Sequence, residues 1–212
     1  TEVKSILTYN NSVTGVITNQ GKIKTDLVVN ATAGWASTIA KMVNLDLPII
    51  THPLQACVTE PLKPLLHKII VSANLHVYIY QTDRGEFVLG AEIDPYQTYS
   101  MKSTFDTLEQ IACHATEIIP CLKHVNILRQ WSGICDMTPD FCPIMGSIDE
   151  INGFILDVGW GTYGFKAAPI SGKLIAELIS TGKTPNLIDP FKLSRFYEEK
   201  LVSEKAAAAV SH

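Results

Sequence analysis

The feature that most constrains this chain is a glycine-rich crossing between two regular elements. Gly153-Phe154-Ile155-Leu156-Asp157-Val158 is an apolar run of strand length, and Gly159-Trp160-Gly161-Thr162-Tyr163-Gly164 follows it directly. Residues 169–181 then carry helical spacing, with Ile170, Leu174, Ile175, Leu178 and Ile179 on one face and Gly182 where a C-terminal glycine is expected. The arrangement has an earlier counterpart. Residues 26–30 carry the apolar run Leu27-Val28-Val29, Asn30-Ala31-Thr32-Ala33-Gly34 forms a tight loop, and residues 35–43 read as a short helix. A continuous apolar strand entering such a loop suits a central parallel strand, and small residues at the start of a helix let backbone amides approach a ligand closely.

The segment 159–164 satisfies G-x-G-x-x-G and permits three readings. The first is a dinucleotide pyrophosphate loop, but that unit needs a second parallel strand and an acidic residue at its end. Thr184-Pro185-Asn186-Leu187-Ile188-Asp189-Pro190 offers neither, because Asp189 sits in a proline-flanked loop. The second is a tight turn whose glycines serve steric needs alone. The third is a loop that lays its backbone against a flat ligand, with Trp160 and Tyr163 as aromatic surface and a helix N-terminus behind it to stabilise negative charge. Lys166 falls in that helix's first turn, where its cation opposes the dipole. Such a placement suggests a task, such as holding a substrate carboxylate, although most lysines are simply solvated.

The rest of the chain frames these segments. Residues 2–29 read as short strands, with Asn19-Gln20-Gly21-Lys22 as a turn. From about Leu47 the pattern changes: prolines punctuate extended pieces, Asp83-Arg84-Gly85 is a hairpin turn, and Phe105 to Ile119 has helical spacing that Pro120 stops. Residues 125–131 read as another strand, followed by a loop to Ser147, and residues 206–210 as a frayed end. The middle block resembles a mixed α+β layer inserted between two pieces of something else.

With 212 residues, 46% hydrophobic and 18% charged, the chain has the balance of a globular protein. A net charge of -4 without a basic cluster argues against nucleic-acid partners. No run of about 18 apolar residues points to a membrane span. The five cysteines form no CxxC pair, so a reducing compartment, the cytoplasm, is expected rather than a disulfide framework. Cys113-His114 with Cys121 and His124 is too loosely spaced for a convincing metal site.

Taken in order, Val28-Val29-Asn30-Ala31-Thr32-Ala33-Gly34-Trp35, His52-Pro53-Leu54-Gln55, Trp131-Ser132-Gly133-Ile134, Thr138-Pro139-Asp140, Gly159 to Lys166 and Pro190-Phe191-Lys192-Leu193-Ser194-Arg195-Phe196 resemble the D-amino-acid oxidase/sarcosine oxidase superfamily. The likeness is closest to the C-terminal half of the beta subunits of heterotetrameric sarcosine oxidases. It implies an α/β fold: a partial FAD-binding domain of the glutathione-reductase-like type, in pieces 1–45 and 131–212, with an inserted α+β substrate domain at 46–130. The family's N-terminal glycine fingerprint does not precede Asn30, so this chain alone is expected to bind FAD weakly.

By position, the resemblance places Thr32, Ala33, Gly34 and Trp35 near FAD, with Gly133 and Ile134, and lays Gly161, Thr162, Gly164 and Phe165 along the flavin ring. Lys166 matches the lysine that binds the substrate carboxylate, and Tyr163 is a candidate for orienting the amine. The cysteine that attaches flavin in monomeric relatives falls at Gly133, not Cys135, which implies non-covalent FAD. Val88 stands near where those relatives carry an oxygen-reactive lysine. FMN belongs to the full complex, and none of His52, His67, His76, His114, His124 or His212 is its attachment residue. The implied reaction removes hydride from the N-methyl carbon of sarcosine to FAD, with electrons passing to FMN and oxygen. The implied partners are alpha, gamma and delta subunits. A beta subunit of a proline or other amino-acid dehydrogenase, and a flavin-free fragment or interaction module, are the rival readings.

Overall fold

The computed structural model describes residues 1–202, apart from the side chains of Ala91 and Glu92; the frayed end expected at 206–210 and His212 lie outside the described residues. The chain divides into two compact units. Among the described residues, the first combines Thr1–Thr51 with Cys135–Val202, and the second is His52–Ile134.

In the first unit, β1 (Val3–Tyr9), β2 (Ser12–Thr18) and β3 (Gly21–Lys24) form an antiparallel meander. A second sheet has the order β10-β11-β4, built from β4 (Val28–Asn30), β10 (Ile144–Ser147) and β11 (Phe154–Val158). β11 runs antiparallel to β10 and parallel to β4. Strand alternation gives β11 two buried faces. Phe154, Leu156 and Val158 pack with Ala36 and Ala40 of helix α1 (Ala36–Lys41), whereas Ile155 packs with Leu174, Ile175 and Leu178 of helix α3 (Gly164–Thr181). The sheet is therefore a layer between two helices, which is why the strand reads as unbroken apolar sequence.

Several boundaries differ from the sequence expectation. β4 is an edge strand of its sheet among the described residues, not a central one. Helix α3 begins at Gly164 and contains Pro169. Proline is favoured at a helix start and so reads as one, but here it removes a single donor, that for the carbonyl of Phe165. Gly182 ends the helix in the left-handed conformation, as expected. The strand expected over 125–131 runs instead as β9 (Ile127–Met137), and β10 was expected to be loop.

In the second unit, a sheet of order β6-β7-β8-β5-β9 carries helix α2 (Phe105–Ile118) on one face. The other strands are β5 (Ile50–Pro61), β6 (Ile70–Ser72), β7 (Val77–Gln81) and β8 (Glu86–Ile93), with Asp83-Arg84-Gly85 turning β7 into β8. Cys57, Val77, Ile79, Phe87 and Leu89 form one core with Ile111 and Ala115 of α2. Beside it, buried Gln55 and Asp94 join Thr104 and Thr107 in a hydrogen-bonded set.

Candidate functional site

β4 and β11 lie side by side and parallel, with Val28 opposite Phe154 and Asn30 opposite Leu156. The loops that follow them therefore leave the same edge of the sheet, at strand carboxyl ends, where open α/β sheets bind ligands.

The first loop is shaped by Asn30, which is 1% exposed. Its side-chain oxygen accepts from the Thr32 amide (3.3 Å) and hydroxyl (2.7 Å), while Nδ2 donates to the Ala36 carbonyl (3.0 Å). Thr51 donates its hydroxyl to the Gly34 carbonyl at 2.7 Å. Ala33 is held at a φ of 47°, an uncommon conformation for a residue with a side chain. Gly34 is buried, while Thr32, Ala33 and Trp35 remain exposed.

The second loop is shaped by two carboxylates. Asp136, at the end of β9 and 1% exposed, accepts the amides of Gly159 and Gly161, the latter at 3.2 Å. Its own carbonyl also accepts from Gly161, at 3.1 Å. Burial pushes the Asp136 carboxyl above its usual range, against the opposing pull of the amide donors. Asp157, on β11, accepts the Trp160 indole N–H at 2.7 Å and the Ser171 hydroxyl, tying the turn to α3. Gly159 and Gly161 take φ values of 73° and 52°, which only glycine adopts without strain.

Helix α3 starts immediately beyond. Tyr163 is its N-cap residue and makes no side-chain cap hydrogen bond, and its first turn has no acidic residue. The first amides of a helix have no partner within it, so this N-terminus offers donors and a positive dipole end. Lys166 Nζ sits 4.6 Å from the centre of the Tyr163 ring. That contact answers part of the lysine's conflict with the dipole, because an aromatic face attracts a cation. Phe165, the second residue of the helix, is 100% exposed.

Thr32, Ala33, Gly34, Trp35, Gly161, Thr162 and Tyr163 thus follow two adjacent strands of the first unit, with Gly164, Phe165 and Lys166 opening the helix after the second loop. Gly133 and Ile134 lie in the second unit, on β9 just before Asp136. Cys135 is buried, and burial and then the Asp136 charge push its thiol up to about 12. Asp136 and Asp157 escaped the sequence reading because nothing local marks either role: Asp136 accepts amides that lie more than twenty residues away, and Asp157 accepts an indole and a hydroxyl from the turn and helix after it. Among the described residues, no group of three or more His, Cys, Asp or Glu is placed to hold a metal, and no helix is long and apolar enough to cross a membrane.

Parallel strands ending in two shaped loops, one feeding a helix N-terminus, define a cofactor-binding α/β unit. Residues 1–178 match the family described as FAD dependent oxidoreductase, and the chain belongs to that family. Its sequence is 39% identical over 211 residues to sarcosine oxidase subunit beta of Arthrobacter sp, covering 100% of this chain and 52% of that protein. It is 38% identical to the subunit of the same name from Rhodobacter capsulatus, covering 100% of this chain and 51% of that protein. The crystal structure of L-proline dehydrogenase from P. horikoshii is 36% identical with a TM-score of 0.86, covering 95% of this chain and 55% of that one. Glycine oxidase from Geobacillus kaustophilus shares the fold, at 24% identity and a TM-score of 0.83, over 92% of this chain and 52% of its own. The chain spans about half the length of the curated relatives it matches.

Family membership implies FAD. The residues present fit such a group: α3 has no side-chain cap hydrogen bond and no acidic residue in its first turn, and Trp35 on the first loop and Phe165 at the start of α3 are exposed.

Proposed function

We propose that the protein carrying this chain oxidises sarcosine, N-methylglycine, as the beta subunit of a multi-subunit oxidase with alpha, gamma and delta partners. The observation that carries the reading is the pair of loops at the carboxyl ends of adjacent parallel strands, one of which delivers Lys166 beside an uncapped helix N-terminus. In this reading residues 1–45 and 131–212 are pieces of an FAD-binding domain and residues 46–130 form the substrate domain. Thr32, Ala33, Gly34, Trp35, Gly133, Ile134, Gly161, Thr162, Gly164 and Phe165 hold FAD without a covalent bond. The flavin, when bound, supplies the hydride acceptor.

Lys166 pairs with the carboxylate of the amino acid, and Tyr163 orients the amine. The α3 amides stabilise negative charge at the N-terminus of the helix, which lowers the barrier to a reduction that places charge there. No residue is assigned as general base, since an amine that binds neutral needs none. FMN resides in the full complex, attached outside this chain, and the assembly works in the cytoplasm.

The second reading, a proline dehydrogenase subunit, is favoured by the likeness to the P. horikoshii enzyme. Steady-state turnover of sarcosine and of L-proline by the full-length protein with its bound flavin separates the two. A sarcosine oxidase subunit should turn over sarcosine with the higher kcat/KM. Preference for proline establishes the second reading, and a full-length protein that purifies without flavin overturns both.

A further inference from the structure

The most unusual feature of the first unit is a buried carboxylate that meets amides instead of a cation. Asp136 is 1% exposed and, among the described residues, forms no ion pair. Removing a charge from water without a counter-charge is costly, and several amide donors are the means by which a protein offsets that cost. Here those donors come from one place, the turn at Gly159 and Gly161, reached from a different strand. We infer that Asp136 is a positioning residue for flavin binding: its carboxylate locks the glycine turn in the one conformation that presents the uncapped first turn of α3. This inference rests on the FAD reading of the site.

The argument is one of chain entropy and donor allocation. Glycines at 159 and 161 leave the segment free to sample many conformations, and both sit at positive φ. An unanchored turn of this kind has to be ordered at the moment a ligand binds, which weakens binding by the ordering cost. Asp136 removes that cost beforehand by holding two amides of the turn, and its main-chain carbonyl shares the Gly161 amide. With those amides committed inward, the start of α3 is left to offer donors at this corner. Space is also tight at Gly161, where a methyl group would meet the Met137 sulfur at 3.2 Å.

Asp136→Asn tests this, because an amide offers a single acceptor oxygen and turns an NH2 group toward a backbone N–H. The full-length protein and the variant are compared in FAD dissociation constant, visible flavin spectrum and amide hydrogen exchange over residues 159–165, at a temperature where circular dichroism shows both folded. The expected result is faster exchange in the turn, an altered spectrum, and FAD affinity weaker by about tenfold or more, as for a lost charge-assisted hydrogen bond. A variant that melts earlier yet binds FAD with unchanged affinity and spectrum has lost a merely structural residue, and the inference fails. Should Asp136→Asn not fold, Gly161→Ala perturbs the same turn with Asp136 intact. It is expected to weaken FAD in the same way, and unchanged affinity there is equally fatal. Wild-type protein that binds no FAD refutes the functional reading itself, whereas a binding wild type matched by its variant refutes only the role of Asp136.

Discussion

Arg195→Met should strongly destabilise the first unit, and the structure sets its scale. Arg195 and Asp140 are both about 3% exposed at the side chain and form a two-pronged pair, Nε to Oδ2 at 2.7 Å and Nη2 to Oδ1 at 2.9 Å. The same guanidinium donates to the carbonyls of Cys142, Phe191 and Lys192. Asp140 in turn accepts the amides of Cys142 and Val202, so one pair closes residues 138–142 onto the chain from Asp189 to Val202. Breaking a buried pair from one side strands the other charge and costs about 3–5 kcal/mol. For a chain of this length that corresponds to a fall in melting temperature of roughly 6–20 °C.

The assay is urea or thermal unfolding followed by tryptophan fluorescence in a Trp131→Phe background, which leaves Trp35 and Trp160, both in the first unit, as reporters. Two further measurements make the reasoning refutable. Burial alone pushes the Asp140 carboxyl up, but the hydrogen bonds and charge of Arg195 outweigh it and hold the group below its usual range. A carboxyl depressed on folding stabilises above its unfolded pKa, and that contribution is lost as pH falls through the folded value. Wild type should therefore lose stability in acid at this site. Arg195→Met, with the cation gone, should gain in relative terms, so the gap between them narrows. Second, Arg195→Met with Asp140→Leu should recover at least about 1 kcal/mol over the single variant, because no charge is left stranded. A single variant costing under about 1 kcal/mol, or a gap independent of pH, refutes the account.

Three other outcomes are expected. Lys166→Ala should lower kcat/KM for a carboxylate-bearing amine by about 10–100-fold, the worth of one charge-assisted contact, without loss of bound flavin; an unchanged value removes Lys166 from the site. Gly90→Ala should cost about 1–3 kcal/mol by denaturant titration and alter the near-ultraviolet circular dichroism of Tyr78 and Tyr80, since its methyl group would lie 2.0 Å from the Tyr78 ring. A thiol reagent at mildly alkaline pH should modify the exposed Cys113 and Cys121 in the native protein and spare Cys57, Cys135 and Cys142 until denaturant is added. For Cys57 and Cys135, burial holds the thiols near 11 and 12, so early labelling of either contradicts the packing.

The fold was legible wherever a single element declares its own environment. Phe154 to Val158 announces burial on two faces because every side chain but Asp157 is apolar, and the structure places helices on both faces. The Asp83-Arg84-Gly85 hairpin and the Gly182 helix end were readable because turn chemistry is local. Pro169 misled for the same local reason: it resembles a start signal, and only the exposed first turn at Phe165 shows why a lost donor there is tolerated.

The candidate site divides along a similar line. The glycines, Trp160, Tyr163 and Lys166 form a contiguous segment, and a contiguous segment can be matched to a chemistry. What holds that segment in place cannot, because its supports come from elsewhere in the chain: Asp136 from the end of β9, Ser171 from the second turn of α3 by way of Asp157, and Asn30 for the companion loop. A carboxylate that accepts amides leaves no pattern in sequence, since every residue but proline offers the same donor. In the proposed site the loops present the groups that touch a ligand, and the buried polar residues decide whether those groups are in position before the ligand arrives. For this chain the order of dependence runs from Asp136 to the glycine turn to the α3 amides, so a substitution screen confined to the exposed residues would miss the group on which their arrangement depends.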